Sequence, residues 1–269
     1  MPEVSDRRIN VYLAKIDRES IISREEELIK RVSAHRREKI GNMKNPSVRT
    51  VSLAAGLLLR YALERELDKR FGIKQIFDYD ISEGEKGKPF IKDLRDAETG
   101  EDILNDLKST AGYDPGIEFS ISHSGDYAAV VISDSTIGID IEVKNDTRFM
   151  VTNRMFTETE KNRVFSAEDK DSEFRDVWTE KEAYLKCTGE GISIPLRSFY
   201  MDMDSAEVMR VPDDKRESGS RGKGVYTPED FLGTGYYITT VRPVSDNLSL
   251  SVCSKDIKFI LDIAHVNDL

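Results

Sequence analysis

The chain has 269 residues, with 50 acidic against 40 basic side chains, a formal net charge of −10 and 38% hydrophobic residues. That length suits one large domain or two small ones, and no apolar run approaches the ~20 residues that would span a bilayer. The acidic balance excludes a general nucleic-acid binder, which needs a basic field against phosphates. The N-terminal MPEVSDRRIN has no apolar stretch of the signal-peptide kind, and Cys187 and Cys253 are too few for a disulfide framework. The expected setting is therefore a soluble protein in a reducing cytoplasm.

Residues 7–16 (RRINVYLAKI) alternate well enough for an opening strand. Residues 23–40 read as one polar helix, with Ser23 and Glu26 at capping-box spacing. Between Lys30 and Arg49 the charge balance reverses: Lys30, Arg31, Arg36, Arg37, Lys39, Lys44 and Arg49 stand against a single acid, Glu38, with His35 among them. Such a run is either a solvated helix face ending at the Asn45-Pro46 turn, or a local anion site that attracts phosphate despite the overall sign. Residues 50–70 give the strongest helix. Val51, Ala54, Ala55, Leu57, Leu58, Leu59 and Ala62 cover most of its circumference, the pattern of a buried central helix. Residues 84–89 form a glycine- and lysine-rich turn, and 92–116 read as an acidic loop with a short helix around 103–108.

The period then changes. Residues 118–122, 127–133 and 138–143 are three short strands rich in Ile and Val. Helices return over 154–167, where Thr157 and Glu160 repeat the capping-box spacing, and over 173–187. Strands follow at 198–203, 236–242, 249–253 and 258–263, and the polar, glycine-rich 212–224 reads as a mobile loop. The expected fold is α+β, with two similar halves related by a pseudo-twofold, residues 1–135 and 136–269. Each half is a long helix on a small antiparallel sheet, and the site is expected at their junction.

Four motifs carry chemistry. Gly138-Ile139-Asp140-Ile141-Glu142 puts Asp140 and Glu142 on one face of a strand, and Ile139, Ile141 and Val143 on the other. Adjacent carboxylates repel, and a bridging cation relieves that; hard oxygen ligands select Mg²⁺. A strand with acids facing water is the plain alternative. Residues 178–186 (WTEKEAYLK), followed by Gly189-Glu190-Gly191, set Glu182 and Lys186 on one helix face. They are a surface ion pair, or a metal ligand or base beside a cation aimed at phosphate. The glycines fit either a ligand's close approach or a helix C-cap, and Trp178 is expected in the core. In the third motif, residues 119–124 (FSISHS), His123 ends a strand between Ser122 and Ser124 and suits contact with an oxyanion or phosphate. With no G-x-S-x-G this is no serine hydrolase, and with His35 and His265 remote and no C-x-x-C it is no zinc site. The fourth, Gly87-Lys88-Pro89, pre-sets a lysine in a turn.

Taken together in this order, the motifs resemble those of the 4′-phosphopantetheinyl transferases. The length and apparent duplication are similar to the monomeric, surfactin-synthetase-activating type rather than to the short trimeric synthases. The motifs span residues 87–191, the helix around 52–63 also looks like the family's, and nothing from about 200 onward is matched. The resemblance implies a Mg²⁺-dependent enzyme that moves phosphopantetheine from coenzyme A to a serine of an apo acyl or peptidyl carrier protein, releasing adenosine 3′,5′-bisphosphate. It implies Asp140, Glu142 and Glu182 as metal ligands. Glu182 would be the base for the serine, and Lys186 the group that stabilises or protonates the departing phosphate. Coenzyme A contacts would come from Lys88, Pro89, Ser122, His123, Asp140 and Lys186, with Arg36, Lys39 and Arg49 near the 3′-phosphate. The family's arginine nine residues before Arg60 falls on Val51 here, with Arg49 two positions earlier. Glu160 matches a glutamate near the metal in some members, besides its place in a capping box. A monomer with neither nucleic-acid nor membrane partners is expected. The rival is a non-catalytic coenzyme A or carrier-protein binding module of the same fold, which would not need the three carboxylates and Lys186.

Overall fold

The computed structural model describes residues 8–74, 76–111, 116–144, 151–212, 228–243, 247–255 and 259–267. The alternating segment near the N-terminus forms β1 (Arg8–Lys15), with Val11, Tyr12, Leu13 and Ala14 all buried. The following polar stretch is not the single helix that its composition suggests. It divides into α1 (Arg18–Ser23), α2 (Glu25–Leu28), a 3-10 turn (Ile29–Arg31) and α3 (Ala34–Gly41). Asp17 caps α1 through its carboxylate, and Ser23 ends that helix instead of starting one. Ser33 takes up extended backbone and caps α3 by accepting from the Arg36 N–H at 3.2 Å.

The long apolar helix is α4 (Pro46–Phe71). The Asn45 side chain accepts from the N–H groups of Ser47 and Val48, and Pro46 occupies the first turn, where its missing N–H costs nothing. Gly72 ends the helix in the left-handed conformation, φ 71°. Next comes a hairpin, β2 (Phe77–Glu83) and β3 (Pro89–Asp96), so residues 92–96, expected in an acidic loop, belong to a strand. Phe77, Tyr79 and Ile81 of β2, with Ile91 and Leu94 of β3, go into the core. Gly84 and Lys88 close the turn through the Gly84 N–H and the Lys88 carbonyl at 2.9 Å. Then follow α5 (Ile103–Ala111), β4 (Glu118–Ser124) and β5 (Tyr127–Ser133). With β11 (Ile260–Val266) these build an antiparallel sheet in the order β11-β1-β5-β4, and α4 packs on β5 and β4.

The second part contains β6 (Ile137–Val143), α6 (Thr152–Met155), α7 (Glu158–Ser166) and α8 (Lys170–Thr188). The expected capping box on α7 is present, with Thr157 and Glu160 bonding reciprocally. Residues 154–167 are nonetheless two helices, because Phe156 is extended and Thr157 starts the second. The remaining strands are β7 (Phe199–Met201), β8 (Glu207–Arg210), β9 (Leu232–Val241) and β10 (Leu248–Lys255). The sheet order is β6-β10-β9-β8-β7, with α8 packed on β6 and β10. Of the glycine-rich stretch 212–224, residues from 213 onward lie outside the described ones. The fold is thus α+β, a long helix on an antiparallel sheet occurring twice. The chain divides into units over Ile9–Thr136 and Ile137–Leu261, with the stretch from Asp262 grouped with the former. Among the described residues, no helix is long and apolar enough to cross a membrane.

Candidate active site

Within residues 137–261, the two strongest motifs meet through a glycine. A Cβ on Gly138 would stand 2.2 Å from the Ala183 carbonyl oxygen and 2.4 Å from the Cys187 N, both backbone atoms of α8. Only a residue without a side chain lets β6 lie this close to the helix. Two residues on from Gly138 stands Asp140, and two further Glu142; across the ladder they pair with Ser251 and Ser249 of β10. On α8, Glu182 and Lys186 are one turn apart.

The four side chains form one electrostatic neighbourhood. Lys186 Nζ donates to Asp140 Oδ1 at 2.7 Å, and Asp140 is buried. Burial pushes the half-buried Glu182 carboxyl up; Asp140 and Glu142 push it the same way, and Lys186 opposes them. A carboxyl in such surroundings holds its proton more readily than one in water. Three carboxylates, all oxygen donors, suit a hard divalent cation in kind. In distance, no three acidic, histidine or cysteine side chains among the described residues converge as ligands of one ion. The cation that Asp140 holds is the Lys186 ammonium.

The other side chains of α8 anchor it, and sequence reasoning assigned them no role. Lys181 is buried, pairs with Glu160 at 2.8 Å, and donates to the carbonyls of Leu196 and Phe199 at 2.7 Å each. Its ammonium also lies over the Phe199 ring, 4.4 Å from the centroid. Glu160 is thereby committed to Lys181 and to the Thr157 cap, an architectural position. Glu180 receives two bonds from Arg163, at 2.8 and 2.9 Å, and one from Thr240. Its burial pushes the carboxyl up to about 7 against the pull of Arg163. Asp176 accepts from Ser249 and Arg242, and Thr179 bonds Ser251 at 2.7 Å. Asp176 and Glu180, four apart on the helix, were the visible signal of this second face. Arg210 of β8 grips Glu190 with both guanidinium nitrogens and reaches the Tyr184 hydroxyl, fixing the chain just after the helix. Trp178 packs, partly buried, on Phe156, Val164 and Val177.

Within residues 9–136, the basic candidates are each engaged locally. Lys88, at the end of the hairpin turn, is 3.2 Å from Glu118 at the start of β4, and Pro89 opens β3. Ser122 is buried and His123 exposed at the end of β4. Lys39 stands 3.7 Å from Glu83, and Arg49 pairs with Glu25. Arg36 is half-buried on α3, 3.4 Å from the Ser52 hydroxyl, and burial pushes its guanidinium down. Val51, where the family arginine would fall, is buried in the core.

Comparison with known proteins finds similarity over the same part of the chain. The model of the 4′-phosphopantetheinyl transferase superfamily matches residues 136–241. The 4′-phosphopantetheinyl transferase gsp of Aneurinibacillus migulanus is 31% identical over 137 residues, covering 50% of this chain and 56% of that protein. Sfp of Bacillus subtilis (strain 168) is 29% identical over 212 residues, 76% of this chain and 82% of Sfp. Psf-1 of Bacillus pumilus is 36% identical over 103 residues, 37% of this chain and 44% of that protein. The chain thus spans only about half the length of gsp and psf-1, and most of Sfp. The superfamily match begins at the strand of Asp140 and Glu142 and contains all of α8, so the part of the chain that unites the carboxylates with Lys186 is also the part the family model recognises. Residues 136–241 thus match the 4′-phosphopantetheinyl transferase superfamily, and the chain is similar to transferases of the surfactin-activating type.

Proposed function

We propose that the protein transfers the 4′-phosphopantetheine of coenzyme A to a serine hydroxyl of an apo acyl or peptidyl carrier protein, releasing adenosine 3′,5′-bisphosphate. The observation that carries this reading is the gathering of Asp140, Glu142, Glu182 and Lys186 on β6 and α8. Asp140, Glu142 and Glu182 are the residues that would hold Mg²⁺. When bound, the ion supplies positive charge to the pyrophosphate as its bridging bond breaks. Glu182 takes the serine proton, its basicity raised by burial and by its two acidic neighbours. The serine oxygen forms a bond to the phosphorus that bears pantetheine, and the bond from that phosphorus to the bridging oxygen breaks. Lys186, held in place by Asp140, stabilises or protonates that oxygen as it leaves.

The unit of residues 9–136 supplies the coenzyme A phosphate contacts in this proposal: Lys88, Pro89, Ser122 and His123, with Arg36, Lys39 and Arg49 toward the 3′-phosphate. The unit of residues 137–261 supplies the metal ligands and the catalytic helix. We place the protein in the cytoplasm, as a monomer. A second reading is a binding module without turnover, favoured by the hold of Lys186 on Asp140 where a metal ligand is expected. Chromatography of a mixture of protein, coenzyme A, Mg²⁺ and apo carrier separates the two. Adenosine 3′,5′-bisphosphate appearing only when all four are present supports transfer; coenzyme A bound but never cleaved, on any competent carrier, overturns it.

A further inference from the structure

Glu83 is the last residue of β2, directly before the turn that carries Lys88. No motif singles it out, yet it holds two members of the basic run. Its Oε1 lies 3.4 Å from His35 Nε2 and 3.7 Å from Lys39 Nζ. Residues 35 and 39 are one turn apart on α3, so one carboxylate serves both. A second β2 acid, Asp80, accepts from the His35 backbone N–H at 3.2 Å and fixes the start of the same helix. Arg36, between His35 and Lys39 in sequence, has a different partner, the Ser52 hydroxyl, and no carboxylate among the described residues.

We infer that Glu83 sets how tightly this cluster takes a phosphate, by occupying the lysine that the phosphate must recruit. The inference rests on the reading above that Arg36 and Lys39 meet a phosphate of coenzyme A. The pair is open to water, with Lys39 and Glu83 side chains 55% and 44% exposed, so it constrains the lysine only weakly. A phosphate monoester near neutral pH carries a charge of about −1.5 to −2. When it arrives, Lys39 exchanges a carboxylate for it, and the displaced carboxylate stays tethered nearby as a like charge. Arg36 keeps its guanidinium free of any such exchange. The repulsive contribution of Glu83 therefore outweighs the little ordering it provides, and it is a positioning residue that weakens binding.

The test is calorimetric titration with adenosine 3′,5′-bisphosphate and with adenosine 5′-monophosphate, on the unaltered protein, Glu83→Gln, Glu83→Asp and Lys39→Ala, beside steady-state kinetics with coenzyme A. Glu83→Gln is expected to bind the bisphosphate about fivefold more tightly, the scale of one exposed ion pair. KM for coenzyme A should fall with kcat unchanged, and Glu83→Asp should restore the original affinity. Tightening confined to the bisphosphate assigns the contact to the 3′-phosphate; equal tightening of both nucleotides also supports the inference and assigns it to the 5′-phosphate. Unchanged or weaker binding by Glu83→Gln, with Lys39→Ala still weakening it, overturns the role of Glu83 and leaves the proposed phosphate contact standing. No effect of Lys39→Ala on either nucleotide overturns both.

Discussion

Lys181 and Glu160 pair at 2.8 Å with side chains 2% and 3% exposed, whereas Lys39 and Glu83 pair at 3.7 Å in open solvent. The contrast extends through the two units. Among residues 137–261, Arg163 with Glu180 and Arg242 with Asp176 are closed in around α8, each with at least one buried partner. Among residues 9–136, Arg18 with Asp126 and Arg49 with Glu25 lie at the surface or partly covered. The same chemistry serves opposite ends. A sealed pair is expensive to break, because losing one partner leaves a charge in a medium that cannot solvate it. An open pair contributes little to stability and can be exchanged for another ion. The unit that must hold three repelling carboxylates in place is tied by sealed pairs. The unit proposed to receive a phosphate keeps its cations on partners they can leave.

The comparison can be broken at several points. The largest effect is expected at Asp140. Asp140→Ala should abolish turnover while leaving the unfolding midpoint close to the original, read by product release and urea titration; an unchanged Mg²⁺-dependent rate would remove Asp140 from the site. Next is Lys181→Met, which strands Glu160 in the core and should cost about 3–5 kcal/mol of stability. The double variant with Glu160→Gln should recover most of that, and a loss below about 1 kcal/mol would mean the pair is not sealed. Gly138→Ala places a methyl against the α8 backbone and should cost about 1–3 kcal/mol. Its turnover should fall further than its stability, because β6 shifts away from Glu182 and Lys186. On the open side, Lys39→Ala should raise KM for coenzyme A by several-fold, roughly what one exposed charge contributes, and affect 3′-dephospho-coenzyme A less. Equal effects on both substrates would show that Lys39 does not meet the 3′-phosphate. The smallest change is expected for Arg49→Ala, below about 1 kcal/mol in stability.

Much of the fold was legible because its signals are local. The apolar circumference of α4, the Ile/Val runs of β4 to β6 and the capping box of α7 each need only neighbouring residues to be read. Where reading failed, the cause was also particular. Leu28, Val32 and Ile40 are spaced like one buried helical stripe, and breaks at Arg24 and at the extended backbone of Val32 divide the helix. In β3 an extra residue, Lys92, lies between Ile91, opposite Ile81, and Asp93, opposite Asp80. This bulge puts the buried Ile91 and Leu94 three apart, which erases the period of two. The shared faces of Asp140 with Glu142 and of Glu182 with Lys186 were legible through strand and helix periods. Their surroundings were not: the basic run shows one acid in sequence, while Glu25, Glu83 and Glu118 reach its members and Lys88 from elsewhere in the chain. Local charge counting therefore finds the cations and misses what they are holding.

The most direct measurement of the central claim is the intact mass of an apo carrier protein after incubation with this protein, coenzyme A and Mg²⁺, beside the same mixture made with Asp140→Ala. The account predicts a gain of one phosphopantetheine on the carrier's serine with the unaltered protein and none with the variant. No gain on any of several competent acyl and peptidyl carriers, or the same gain with Asp140→Ala, would contradict it.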